Sequence, residues 1–343
     1  MAFEFAPLQS SEESDLIQFL IKSFGADPNL NSFRPEVIHW KYFAGHSEWA
    51  GSRSFVVKRD GQIVSHGGVW PLRIAMPKAE VKLIHLIDWA ASRSAVGAGV
   101  QLLRKVAGLA DVLITIGGSA DTRNLLPKLG YRRVGELWQY AMVVRPWLQF
   151  RTTPQKNWKT PVKFLRDFAR SGLPKVPNGW KATKVSQFSG TTITAPNTTN
   201  YLSPARTATG LDHLLRCPAA RFSGFEVSDS QRLRGYFVLA QVGRQMRIAD
   251  LRIDADDRAS WQAMCALASF WAAQHPEVCE IVAASSIDSM KDAWSQAGFI
   301  HRRTEPIFCY DPHNLLGSDP ALNLNLADGD QCFLNDPEFP YLS

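Results

Sequence analysis

Apolar and polar positions repeat with both helical and strand periods along the chain, and the order of these patterns predicts its elements. In the first 145 residues the pattern predicts a helix, a second helix, a hairpin, a mostly apolar strand, a helix, a buried strand, a short helix and a closing strand. These elements fall at residues 11–24, 33–44, 54–76, 81–91, 97–109, 111–118, 120–129 and 131–144. Strands interleaved with helices in this way predict a mixed α/β layer fold.

Turn residues mark where several of these elements begin and end. Asp60-Gly61 lies between two β-rich runs, which is typical of a tight hairpin. Gly67-Gly68 and Pro71 predict a bulge or break in the second strand of that hairpin. Gly130 follows the predicted helix over 120–129 and is expected to end it in a left-handed conformation.

The same order of patterns occurs again in the second half of the chain. Residues 129–133 and 297–303 have similar sequences about 168 residues apart, each at the end of a predicted helix. We therefore expect an internal duplication, with a first domain over 1–150 and a second over 181–315. The proline- and lysine-rich residues 151–180 are expected to be a linker with one short helix, and 316–343 an extended tail.

Composition narrows the class of protein. The 343 residues, 45% of them hydrophobic and 20% charged, are enough for two globular cores. Basic residues occur along the whole chain and their densest groups are short, Lys156 to Lys163 among them, so the net charge of +6 indicates a solvated basic surface or attraction of an anionic ligand, an acidic glycan or nucleic acid. Without a zinc-finger or RNA-recognition signature, nucleic acid is the weaker hypothesis.

The cysteines and the apolar runs indicate the compartment. The five cysteines all lie after residue 216 and have no Cys-x-x-Cys spacing, so neither a zinc site nor a disulfide framework is expected. A secretory signal and an apolar run long enough to span a bilayer are both missing from the pattern. We predict a cytoplasmic protein with no metal and no membrane partner.

The junction between residues 89 and 100 is the strongest candidate for chemistry. A buried strand leads into Gly97-Ala98-Gly99 and then an amphipathic helix. Glycine lets the backbone approach a ligand, and the free N–H groups of a helix N-terminus attract anions. A dinucleotide-binding Rossmann motif is not favoured, since the full G-x-G-x-x-G pattern and a following acidic residue are missing.

This order of elements, with the glycine loop and the later Leu129-Gly130-Tyr131, resembles the GCN5-related N-acetyltransferase (GNAT) family. The resemblance covers residues 35–145 well and 205–312 in outline. It implies two GNAT-like domains in tandem, with acetyl-CoA or another acyl-CoA as co-substrate. The implied pyrophosphate ligands are the backbone amides of the loop, and the implied pantetheine-lining residues lie on the strand. These coenzyme-binding residues are Asp88, Trp89, Ala90, Ala91, Ser94, Val96, Gly97, Ala98, Gly99 and Val100.

The sequence departs from the family pattern at several positions. Ser94 replaces a glutamine or arginine, Leu126 replaces the usual tyrosine, and Ser119 replaces an asparagine. In the second copy the equivalent loop, residues 254–262, has three aspartates and no glycine, so we expect no coenzyme there.

Three residues are candidates for the acyl-transfer chemistry. His85 lies on the central strand, and histidine is the residue type that ordinarily titrates near neutrality, as a base should. Asp88 could hold an ammonium group or act through water, and it should face away from His85 unless a bulge intervenes. Tyr131 could supply a hydroxyl, and His66 beside Gly67 is a further candidate.

The sequence therefore predicts an N-acetyltransferase that transfers an acyl group from acyl-CoA to an amine, possibly an amino sugar or another small molecule. Two alternatives stay open: a non-catalytic acyl-CoA-binding protein, and an aminoacyl transferase of the Fem-like type. Neither the acceptor nor the oligomeric state follows from the sequence.

Overall fold

The computed structural model describes residues 3–76, 80–172, 174–188, 200–336 and 338–343. In these residues the strands are β1 (Glu4–Pro7), β2 (Ser54–Arg59), β3 (Gln62–Ala75), β4 (Glu80–Ala91), β5 (Val112–Ile116), β6 (Arg132–Val143), β7 (Lys181–Val185), β8 (Arg221–Ser228), β9 (Leu233–Val242), β10 (Gln245–Ile253), β11 (Glu280–Ser285) and β12 (Ile300–Tyr310). The α-helices are α1 (Glu13–Phe24), α2 (Pro35–Tyr42), α3 (Ala98–Ala107), α4 (Ala120–Leu125), α5 (Pro146–Thr152), α6 (Thr160–Arg170), α7 (Ala208–Leu215), α8 (Arg258–Ala273) and α9 (Asp288–Gln296). Short 3-10 turns occur at Ser10–Glu12, Asn31–Phe33, Leu126–Leu129, Leu326–Asp328 and Asp330–Cys332.

The chain divides into two compact units that each combine two segments. The first unit comprises Met1–Gly135 and Pro306–Pro320, and the second Glu136–Glu305 and Ala321–Ser343. Strands β6 and β12 therefore both run from one unit into the other.

The first unit is a mixed sheet in the order β1-β2-β3-β4-β5, completed by the end of β12. Neighbouring strands are antiparallel except β4 and β5, which run parallel. Helix α3 packs on one face against a core that includes Leu86 and Leu102. Helices α1 and α2 cover the other face, around Ile38, Tyr42 and Ile87.

The second unit has the same order of elements. Its sheet runs β6-β11-β10-β9-β8-β7, with β10 and β11 as the parallel pair. Helices α8 and α9 pack on one face around Trp261 and Trp294. The predicted duplication is thus visible in the structure, because β4, α3, β5 and α4 have counterparts in β10, α8, β11 and α9.

Most predicted elements are found close to their expected ends, and the exceptions have local causes. Gly130 is left-handed at φ 88°, as expected. The helix predicted over 120–129 instead tightens to a 3-10 turn after Leu125, because Pro127 provides no N–H for an α-helical bond. Strand β3 continues through Pro71 to Ala75 without a break. The pattern missed β1, β7 and helix α5.

Candidate functional site

Strand β4 bulges at Asp88, and the bulge decides which way this side chain points. In the ladder with β3, Ile87 pairs with Gly68 and Ala90 with His66, so two residues of β4 lie opposite Gly67 alone. Asp88 has a φ of 48°, in the left-handed region that side chains rarely adopt. Two consecutive side chains, Ile87 and Asp88, consequently lie on the face covered by α2.

The Asp88 carboxylate is held by two side chains from the end of α2. The Lys41 ammonium group and the Tyr42 hydroxyl both donate to its Oδ2. The Lys41 side chain is only 2% exposed, and that of Asp88 is 19% exposed. Burial raises the pKa of Asp88, whereas the charge and hydrogen bond of Lys41 and the hydrogen bond of Tyr42 lower it. The lowering effects together outweigh burial, so the pKa lies below the ordinary value for an aspartate. Asp88 is therefore an anion at neutral pH.

His66 supports the bulge from strand β3. Its Nδ1 lies 3.1 Å from the Asp88 carbonyl oxygen and its Nε2 lies 3.0 Å from the Ser54 hydroxyl. Burial lowers the pKa of His66 to about 4, so the ring is neutral at physiological pH. A carbonyl oxygen only accepts, so Nδ1 carries the proton and Nε2 accepts from Ser54. His66 is fully buried and fixes the backbone of Asp88.

Two further residues hold α2 against the sheet. The buried Arg53 guanidinium donates to the carbonyl oxygens of Trp40, Lys41 and Ala44 at 2.7, 3.0 and 2.8 Å, which satisfies the C-terminal end of the helix. Gly68 leaves room for the Tyr42 ring, since a Cβ there would lie 2.5 Å from its Cε1. Both contacts fix the position from which Lys41 and Tyr42 reach Asp88.

Beyond the bulge, β4 and β5 separate. The two strands pair only from Leu83 to His85, opposite Val112 to Ile114. Strand β4 continues to Ala91, and among the residues that the structure describes its last six residues have no partner in the β5 register. The backbone edge between Leu86 and Ala91 is therefore open to a ligand that can hydrogen-bond along it.

The open edge leads directly to the start of helix α3. Gly97 is its N-cap residue, left-handed at φ 87°, and no side chain caps the helix. The Ala98 amide donates to the Ala95 carbonyl oxygen at 3.1 Å, whereas the amides of Gly99 and Val100 have no backbone acceptor within the described residues. No acidic side chain lies in the first turn, and Arg59 donates to the Ser94 carbonyl oxygen at 3.3 Å. This junction can accept an anion at the helix N-terminus.

Packing around the loop explains its second glycine. A Cβ on Gly99 would lie 3.0 Å from that of Ala91, so the helix start approaches the strand closely. The Trp89 indole donates to the Gly99 carbonyl oxygen at 3.2 Å, on the α3 face of the sheet. Val96 is 88% exposed at the tip of the loop. The end of strand β4 and the glycine loop, whose residues the resemblance implied for coenzyme binding, therefore lie next to each other.

The other two predicted catalytic residues lie in different surroundings. His85 is buried and pairs across the sheet with Trp70, on the same face as Asp88 because of the bulge. Tyr131 packs in the core on the α3 face, with its ring centroid 5.2 Å from that of Tyr310. Its buried hydroxyl has no hydrogen-bond partner among the described residues, and burial raises its pKa. The structure brings Asp88 and His66 together and puts Tyr131 on the opposite face of the sheet.

The equivalent junction in the second unit is closed by the chain itself. Asp257 caps helix α8, accepting from the Ser260 amide at 2.9 Å and from its hydroxyl at 2.6 Å. Asp256 accepts from the Trp261 indole at 2.9 Å. The Asp257 carboxylate occupies the position at the helix N-terminus where a phosphate would bind.

Lys41, Tyr42 and Ser54 are site residues that the sequence pattern did not indicate. A signal for Lys41 was present, because it lies four residues after Val37 on the buried face of a short apolar helix. A lysine on such a face requires a carboxylate partner, and that requirement points to a buried acid in the neighbouring strands.

Within the residues that the structure describes, no group of three or more His, Cys, Asp or Glu side chains could hold a metal ion. Over the same residues, no helix combines the length and apolar character needed to cross a bilayer. All five cysteines are free and buried.

A bulged central strand, a diverging parallel neighbour and a glycine loop at an uncapped helix start define the GNAT fold. Solved structures agree with this assignment. The chain is similar to a GCN5-related N-acetyltransferase from Anabaena variabilis, with 12% identity, a TM-score of 0.56 and coverage of 90% of this chain and 73% of that one. It is also similar to a tandem GNAT protein from the clavulanic acid biosynthesis pathway, with 13% identity, a TM-score of 0.53 and coverage of 90% and 98%.

A third similar structure is the N-myristoyltransferase of Saccharomyces cerevisiae with bound myristoyl-CoA, at 13% identity and a TM-score of 0.60, covering 95% of this chain and 83% of that one. No family model matches the sequence, and no curated protein matches it either. The predicted fold, a mixed α/β pair of GNAT-like units in tandem, is confirmed. The structural similarity, with TM-scores of 0.56 and 0.53, establishes the fold alone, because at 12 and 13% identity the reaction does not follow from the fold.

Proposed function

We propose that this protein is an acyl-CoA-dependent N-acyltransferase whose coenzyme binds to the first unit. The observation that carries the proposal is the uncapped start of α3, which directly follows the open edge of β4. A pyrophosphate on the amides of Gly99 and Val100 directs the pantetheine arm along Asp88 to Ala91. The acyl group is then delivered towards the bulge.

The proposed role of Asp88 is to attract and orient the ammonium form of the acceptor. Its low pKa makes it a weak base, so the proton leaves through water. A thioester is already activated, and positioning alone can supply a large part of the rate. Leu126, which replaces the usual tyrosine, is fully buried in the core, so the leaving thiolate takes its proton from another source. The acceptor class proposed is a small amine, an amino sugar among them.

Binding of the coenzyme is tested by calorimetric titration of acetyl-CoA into wild type, Val100→Pro and Val100→Ala. Proline in the first helical turn removes one N–H without removing an intrahelical bond, whereas alanine keeps that N–H. We expect one site per chain, affinity about tenfold or more weaker in Val100→Pro, and little change in Val100→Ala. Myristoyl-CoA titrated in parallel tests the chain length, because the yeast neighbour binds it.

Three results would contradict parts of the proposal. Absence of acetyl-CoA and myristoyl-CoA binding by folded wild type removes the coenzyme and redirects the search to aminoacyl-tRNA. Equal affinity of Val100→Pro and Val100→Ala moves the coenzyme away from α3. Tight binding with no CoA release across a panel of amines supports the non-catalytic alternative.

A further inference from the structure

Helices α5 and α6 of the second unit form a hairpin whose outer face is apolar. Its aromatic side chains pack together, with Trp147 and Phe164 centroids 6.0 Å apart and Phe150 and Phe164 centroids 5.3 Å apart. Five large apolar side chains of this hairpin are nevertheless 60 to 78% exposed: Trp147, Trp158, Val162, Leu165 and Phe168. A helix packed on a protein surface normally turns its apolar side inwards.

Helix α6 has three distinct faces at 100° per residue. Thr160 and Asp167 are buried and Phe164 half-buried on the face towards the protein. Val162 and Leu165 lie on the solvent-facing side, together with Ala169. A third stripe, between these two, is basic and consists of Lys159, Lys163, Arg166 and Arg170.

The charge of the chain is concentrated in the same segment. Residues 145–172 contain seven lysines and arginines and one acidic residue, Asp167, a net charge of +6. The whole chain has a net charge of +6, so the remaining residues are neutral in sum. The basic stripe thus borders the exposed apolar stripe, whereas the rest of the chain has no excess of positive charge.

We propose that this face of α5 and α6 binds the surface of an anionic phospholipid bilayer. Trp147, Trp158, Val162, Leu165 and Phe168 enter the interfacial region. Lys159, Lys163 and Arg170 of the basic stripe contact lipid phosphates, whereas Arg166 is paired with Asp167. Trp side chains favour this depth, and each lysine or arginine near an anionic surface adds to the attraction. The sequence-based expectation of no membrane partner considered spanning segments, and a helix lying on the surface needs no such length.

Nucleic acid fits this surface less well. A nucleic-acid site binds phosphates with basic groups and stacks bases on aromatic rings. Neither kind of contact involves exposed aliphatic side chains such as Val162 and Leu165. An interfacial helix requires aliphatic and aromatic side chains beside the charges.

The test is co-sedimentation of the full chain with vesicles of phosphatidylcholine, or of phosphatidylcholine with about 30% phosphatidylglycerol. We expect binding to the anionic vesicles and about tenfold or more weaker partition for the pair Leu165→Ser and Phe168→Ser. The matched control is the pair Phe24→Ser and Leu315→Ser, also exposed apolar residues but in the first unit. This control should bind like wild type.

A second pair of variants tests the charge. Lys159→Gln with Arg170→Gln should weaken binding to anionic vesicles, and Lys181→Gln with Lys184→Gln, exposed on β7, should not. Binding that is absent, or equal on both vesicle types, overturns the proposal. So does a salt-sensitive complex with RNA or DNA in place of vesicle binding, or a dimer that the Leu165 and Phe168 substitutions dissociate. Acyl-CoA binding is measured separately, so either proposal can fail without the other.

Discussion

Removing the charge of Asp88 should destabilise the first unit, because it leaves the Lys41 ammonium group buried without its carboxylate. Breaking a fully buried ion pair costs about 3–5 kcal/mol. Asp88 is 19% exposed, so water compensates in part, and we expect about 2–3 kcal/mol for Asp88→Asn. Lys41→Met, which leaves the carboxylate with Tyr42 and some solvent, should cost less.

The double variant separates pairing from simple loss of a residue. Lys41→Met with Asp88→Asn removes both charges, and replacing a buried pair by neutral groups is often close to neutral. We expect it to lie within about 1 kcal/mol of wild type, so the cycle should give a coupling energy above about 1 kcal/mol. If it remains folded, the double variant also tests the proposed orienting carboxylate in turnover.

Hydrogen exchange is the assay, because a two-unit chain need not unfold in one transition. Peptides from β2, β3 and β4 report the opening free energy of the first unit alone. Arg59→Met is the control substitution, because Arg59 is on the same unit and donates to the Ser94 carbonyl oxygen, with no carboxylate partner in the described part of the chain. Additive losses in the double variant, or a cost below about 0.5 kcal/mol for Asp88→Asn, would refute the reasoning.

Three further predictions follow from the same contacts. Gly68→Ala should destabilise the first unit by about 1–3 kcal/mol, because the new Cβ would lie 2.5 Å from Tyr42 Cε1. Gly45→Ala is the control, since a Cβ there would meet no atom within 4 Å. Urea unfolding of the two variants compares their stabilities. The pKa of His66 is about 4 in the folded chain and near its ordinary value of 6.5 in the unfolded chain. The unfolded chain therefore binds more protons, so the free energy of unfolding should fall as pH drops from 6.5 to 4. His66→Asn should flatten this slope when unfolding is measured across that pH range. Asp257→Ala should cost about 1 kcal/mol by removing the cap of α8, read from thermal unfolding, while acetyl-CoA still binds at one site.

Local signals in the sequence predicted much of the fold. Asp60 and Gly61 both have positive φ in the hairpin turn, as their residue types indicate. The glycine loop, helix α3 and the duplicated order of elements were found from periodicity and turn residues. These features depend on neighbours within a few positions, which a pattern can show.

The direction of Asp88 depends on contacts that no local pattern contains. Plain alternation puts Asp88 and His85 on opposite faces, and only the pairing of β4 with Gly67 on another strand introduces the bulge. Lys41 reaches Asp88 across 47 positions of sequence. The sequence therefore indicated the region of the candidate site. The partners of its charged groups could be identified only from the tertiary structure.

The path of strand β12 has a consequence for how the protein is synthesised. Residues Ile307 to Tyr310 pair with β5, so the edge of the first sheet is covered by a segment made nearly 200 residues later. Until the ribosome has released that segment, β5 presents an unpaired edge that can join with other chains. A fragment such as 1–150 lacks the closing strand altogether. Folding of the first unit is thus completed only after β12 has been synthesised, and until then the nascent chain presents a free strand edge to its neighbours.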